Sequence, residues 1–211
     1  HGGGDDLCFP HHQNEWAQVT AMGQQFARHW VHSAMVNVAG EKMSKSLGNF
    51  TNLAEAIDTA GPRALRLLAL QTHYRRAMEM GRDALMAADA AVHRLDTFHR
   101  RMVTAHVDLN DGDLDEASIA AFRSAMDDDF STPTALDNAF SLIRNANIDL
   151  DNSDLSAAGV KGRTAVEMFS VLGIDIGPQG EEASVGPTGQ QIEDLLEQRT
   201  QARVDKDFAT A

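Results

Sequence analysis

Apolar positions along this chain recur mostly at three- and four-residue spacing, the period of a helix with one buried face. Leu85, Val92, Leu95, Phe98 and Met102 mark one side of a long amphipathic helix over residues 82–106. Ile119, Phe122 and Met126 predict a second over 116–130. Leu136, Phe140 and Ile143 predict a third, opened by Thr132 as N-cap and Pro133 at the first helical position. Another runs from about Leu155 to Leu172 and stops at Gly173, where a glycine just past a helix end is expected. Ahead of these, Gly61–Pro62 opens a helix with Leu65, Leu67, Leu68 and Leu70 on more than one face, and residues 50–59 form a linking helical segment before it. Pro10 stands at the start of a further helix, which continues through 16–29 with Trp16, Val19, Met22 and Phe26 as a core-facing stripe. Residues 30–38 instead alternate with period two and predict a strand. Glycine and proline make 174–189 a linker, and residues 190–211 read as a last helix.

Composition narrows this picture to a mostly helical globular chain. Of 211 residues 43% are hydrophobic, enough for a real core, and no apolar run approaches the roughly 20 residues that span a bilayer. Cys8 is the single cysteine, which excludes an internal disulfide and suits a reducing cytoplasm. The net charge of −13 argues against a surface that binds nucleic acid everywhere. It is unevenly spread, with 11 Lys and Arg against 10 Asp and Glu in residues 1–103, and 7 against 21 in residues 104–211. A polyanion site therefore belongs in the first half, and the second half binds RNA only through local basic patches.

Three stretches carry candidate chemistry. Glu41–Asn49 follows the strand and holds Lys42, Ser44, Lys45 and Ser46 in a loop of small residues. Two ammonium groups and two hydroxyls there suit a polyphosphate, the other reading being an ordinary solvated turn. In His1–Leu7, Gly3 and Gly4 let the backbone approach a planar ligand, and Asp6 can accept hydrogen bonds from a ribose or an amine; a plain flexible loop is the alternative. His11 and Glu15 are four apart, so both project from one helical face as competent zinc ligands or as a surface ion pair. His32 is either a polar helper in a cleft or a structural histidine, and Cys8 reads as a small buried apolar residue. Arg75 and Arg76 are set to contact phosphates or to form an inter-domain ion pair, and Asp127–Asp129 read as a solvated acidic turn with capping, the other reading being a metal site.

His1–Gly4, Asp6–Leu7, Phe9–His12 with Asn14–Glu15, His32–Ser33 and Glu41–Phe50 together resemble the second half of the catalytic domain of the cysteinyl-tRNA synthetases, and Lys42–Ser46 is similar to the signature loop of class I synthetases. Ala125–Pro133 and Arg199–Ala209 resemble the helical region that follows in that family. The resemblance implies an α/β remnant of a class I Rossmann-like catalytic domain over residues 1–60, a helical bundle of the anticodon-stem-binding type over 61–173, a linker over 174–189 and a C-terminal helix over 190–211. It implies ATP-dependent activation of cysteine and transfer to tRNA(Cys), with Lys42 and Lys45 catalytic and ATP held by those lysines, Ser44, Ser46, Gly3, Gly4 and Asp6. It implies magnesium with the ATP, zinc held by His11 and Glu15 with two upstream cysteines, and a cytoplasmic monomer. Gln13 stands where a glutamate is more usual. The family's zinc cysteines and its HIGH-type signature lie ahead of His1, so the expectation is a piece of a longer enzyme, inactive by itself. Two rival readings are the cysteine ligase of mycothiol synthesis, which shares the lysine loop, and a non-catalytic helical module that binds RNA.

Overall fold

A parallel pair of strands, a three-stranded sheet and a set of packed helices make up the computed structural model of the protein, which describes residues 1–38, the backbone of 41–42, and 53–177. Residues His1–Gly177 form one compact unit. Strand β1 (Gly2–Gly4) pairs in parallel with β2 (Val31–Ser33), Gly3 opposite His32. Between them a 3-10 turn at Asp5–Leu7 and a wide turn at Cys8–His12 lead into helix α1 (Gln13–Ala21). Strand β3 (Val36–Val38) then pairs antiparallel with β4 (Glu41–Lys42) and parallel with β5 (Met78–Glu79).

Four expectations for this region are corrected. Residues 30–38 are not one strand: the chain leaves the first sheet after Ser33 and joins the second at Val36. At the step, the Ala34 N–H donates to the Tyr74 carbonyl at 2.8 Å, so tertiary hydrogen bonding overrides the local alternation. The helix expected to continue to residue 29 stops at Ala21, where Gly23 takes φ +71, a value that ends a helix at little steric cost. Its stripe is not core, for Trp16 is 53% and Met22 65% exposed. Cys8 is likewise exposed rather than buried.

The bundle follows the sequence pattern closely. Helix α2 (Leu53–Leu70) is broken at Gly61, φ +78, directly before Pro62, so the expected helix start survives as a kink. Helix α3 (Arg82–Thr104) buries all five residues of its predicted stripe. Asp115 caps α4 (Glu116–Asp127) through the N–H groups of Ala117 and Ser118, and Asp154 caps α6 (Leu155–Val171) through Ala157. Ser131 rather than Thr132 is the N-cap of α5 (Thr132–Asp151), a shift of one residue. Leu67, Leu95, Phe98, Met102, Met168 and Phe169 lie at the centre of the core. Arg63 ties the second half of α2 to α3 by paired 2.8 Å bonds to both Asp96 oxygens, the fork geometry that suits a guanidinium.

Candidate active site

The site grows out of the β1–β2 pair. A Cβ added to Gly3 would lie 2.8 Å from His12 Cε1, so the missing side chain is what lets the His12 ring pack on the strand. His12, 4% exposed, bonds His32 of β2 by Nδ1 to Nε2 at 2.8 Å. One ring donates and the other accepts, which leaves the His12 Nε2 for another partner. Trp30 stacks on His32, and His1 packs edge-on against both His12 and Trp30. Cys8, Gln13 and Trp16 form with His12, Trp30 and His32 a cleft of about 310 Å³.

Glu15 gathers the imidazoles from the α1 side. Its Oε2 accepts from His1 Nε2 at 2.8 Å, while Oε1 lies 3.3 Å from His11 Nε2, one helical turn away. The ligand atoms of His1, His12 and Glu15 all lie within 4.8 Å of one another. Imidazole nitrogen and carboxylate oxygen form a donor set that fits zinc, and a His12 held by a second histidine is oriented as metal-binding histidines are. The structure thus places His11 and Glu15 together and adds His1, His12 and His32, which spacing had not joined to them. Their signal was the strand register, since Gly3 opposite His32 puts a glycine gap beside an imidazole.

The remaining site residues divide into two groups. Gly4 faces Asp6, whose Oδ1 would lie 2.7 Å from a Cβ added there, so Asp6 folds back over the glycine it follows. The backbone of Lys42 pairs with Asn37 in the β3–β4 hairpin, which leads into the lysine loop. Ser44, Lys45 and Ser46 lie outside the described residues, as does the segment 190–211 expected to be a helix.

Two polar features lie on the bundle. Arg75 pairs with Asp129, whose carboxylate also accepts from the Tyr74 hydroxyl at 2.5 Å. The Arg75 hydrogen bonds, then that of Tyr74, hold the Asp129 carboxyl down at about 2, and the same contact raises the Tyr74 phenol. The acidic turn is therefore a partner for residues 73–75 rather than simply solvated. Between α3 and α5 runs a groove of about 660 Å³ with Arg94, Arg101 and Arg144 along it. Arg101 is held by Asn147 and Asp151 and Arg144 by Ser141, while Arg94 has no acidic partner among the described residues.

The parallel strand pair, the β3–β4 hairpin and the packed helices fit a class I aminoacyl-tRNA synthetase catalytic region joined to a helical domain. Residues 1–90 match the family model described as the tRNA synthetases class I (C) catalytic domain, and residues 121–176 match the DALR domain. The chain is 42% identical to a cysteine–tRNA ligase of Micrococcus luteus and 41% identical to one of Leifsonia xyli, each alignment covering all of this chain. It spans about 45% of the length of these relatives. Among solved structures, a leucyl-tRNA synthetase of Agrobacterium radiobacter in complex with tRNA superimposes with a TM-score of 0.67 at 16% identity, over 80% of this chain and 24% of that one, a likeness of fold. Over its whole length the chain is similar to the cysteine–tRNA ligases.

Proposed function

We propose that this chain serves the cysteine–tRNA ligase reaction in the cytoplasm, as a monomer. A carboxylate oxygen of cysteine attacks the α-phosphorus of ATP, the bond to the β-phosphate oxygen breaks, and pyrophosphate leaves. The cysteinyl group then passes from the adenylate to the terminal ribose of tRNA(Cys). The observation that carries this reading is the metal-competent cluster of His1, His12 and Glu15 beside the β1–β2 pair and the start of α1, followed along the chain by the β3–β4 hairpin that precedes Lys45.

In this reading Lys42 and Lys45 offset the charge that moves onto pyrophosphate, with magnesium accompanying the nucleotide. Ser44 and Ser46 donate hydrogen bonds to the phosphates, and Gly3, Gly4 and Asp6 border the nucleotide. His11 and Glu15 hold zinc, with His1 and His12 as further imidazoles within reach. Zinc supplies a soft centre that takes a thiolate in preference to a hydroxyl, which separates cysteine from serine at the binding step. Arg94, Arg101 and Arg144 on the α3–α5 groove face the tRNA backbone, where guanidinium groups offset phosphate charge on a chain that is acidic as a whole. Residues 1–60 form the catalytic part and 61–173 the tRNA-binding bundle.

The test uses the full-length protein that carries this chain, with ATP, labelled cysteine and total tRNA. Transfer of label to tRNA is expected, and Lys45→Ala is expected to lower adenylate formation by about 100-fold with little change in cysteine binding. An unchanged rate in that variant overturns the assignment of Lys45. Adenylate formation without tRNA charging points to the mycothiol-type ligase, and neither activity to a non-catalytic RNA-binding module.

A further inference from the structure

The turn between α4 and α5 is shaped in a way that joining two helices does not require. Asp129 and Phe130 both lie at φ +53, the left-handed region that side-chain-bearing residues avoid. Phe130 gains no burial from this, being 59% exposed. What the turn achieves is to aim Asp129 at residues 73–75. Its carboxylate accepts from the Tyr74 hydroxyl at 2.5 Å and from Arg75 Nε and Nη2 at 2.5 and 3.1 Å. The Asp129 carbonyl lies 3.1 Å from His73 Nε2, so three consecutive side chains converge on one residue. His73 stacks on Tyr74, and the Arg75 guanidinium sits 5.0 Å above that ring.

The main chain of the same segment holds the catalytic sheets. The Tyr74 carbonyl accepts from Ala34 N–H at 2.8 Å, Met78 N–H donates to Met35 at 3.0 Å, and Met80 N–H donates to Asn37 at 2.8 Å. Ala34 and Met35 are the step between β2, which carries His32, and β3, which runs into β4 and Lys42. We propose that Asp129 is a positioning residue: by clamping Tyr74 and Arg75 it sets where the bundle holds the β2–β3 step, and so how the histidine cluster stands relative to the β3–β4 hairpin. The effect on rate rests on the synthetase reading, whereas the linkage itself rests on these contacts.

The test compares the full-length protein with Asp129→Asn, which tolerates the left-handed turn but loses the charge, and with the double variant Tyr74→Phe/Arg75→Gln. Amide hydrogen exchange reads the linkage and cysteine-dependent pyrophosphate exchange reads the site. Both variants are expected to speed exchange over residues 31–38 and 73–80 by roughly tenfold while leaving α6 unchanged. They are expected to lower kcat by about tenfold with KM for cysteine within about twofold, and the triple variant to lose no more than either. Exchange unchanged over those residues, or faster throughout α6 as well, overturns the proposal, and so does faster local exchange with kcat intact. If the unaltered protein gives no pyrophosphate exchange, the synthetase reading fails, and the hydrogen-exchange result alone decides the linkage.

Discussion

Gly3 shows how one residue's lack of a side chain can organise a site. A Cβ there would stand 2.8 Å from His12 Cε1 and 2.9 Å from Leu7 Cδ1, too close for either to remain where it is. Gly3→Ala is therefore expected to cost about 1–3 kcal/mol in stability and to displace His12 from His32, checked by urea unfolding together with the imidazole signals in an NMR spectrum. Zinc titration separates the imidazoles. His11→Ala and Glu15→Gln are expected to lower zinc affinity by 10-fold or more, His12→Ala by less, and equal losses in all three would make the cluster a single site. Asp129 gives a pH signature. Its carboxyl is lowered from 3.8 in the free chain to about 2 in the fold, so the stability it contributes is complete above about 4 and lost as pH falls toward 2. Asp129→Asn is expected to flatten that part of the acid-unfolding curve and to change little of the rest, as measured by circular dichroism from pH 5 to pH 2.

At the scale of elements, the helices are held by caps as well as by their stripes. Asp115 accepts from Ala117 and Ser118 N–H and from the Ser118 hydroxyl, while its own N–H donates to the buried Thr164 at 2.8 Å. Asp115→Ala leaves two first-turn N–H groups of α4 without a partner and is expected to cost about 1 kcal/mol, seen as a lower denaturant midpoint with an unchanged slope. The strands behave differently, because two or three residues each is too few for local preference to decide a sheet. Their partners decide, and residue 34 changes sheets because Tyr74 offers it a carbonyl.

At the scale of the whole molecule, the proposed contact with tRNA is governed by charge. With a net charge of −13, contact with a polyanion has to run along local arginines, and the α3–α5 groove gathers three of them. Arg94→Ala is expected to weaken tRNA binding a few-fold and to lower the slope of log affinity against log salt by about 1, measured by filter binding across a salt series. An unchanged slope places the RNA elsewhere. No described helix is long and apolar enough to cross a membrane.

The sequence by itself determined the helices of the bundle and their buried faces, because a 3.6-residue period with caps and a terminal glycine is local information. Leu95 and Phe98 stand in the core where their spacing put them. It also determined that His11 and Glu15 share a helix face, since four residues make one turn. Only the tertiary structure decided that His1 and His12 gather at Glu15 and that His32 holds His12, for their approach depends on a parallel strand register and a glycine gap rather than on spacing along the chain. Only it turned Asp129 from a solvated acid into the partner of Tyr74 and Arg75, more than fifty residues away, because a left-handed turn sets the direction of a side chain and sequence distance does not.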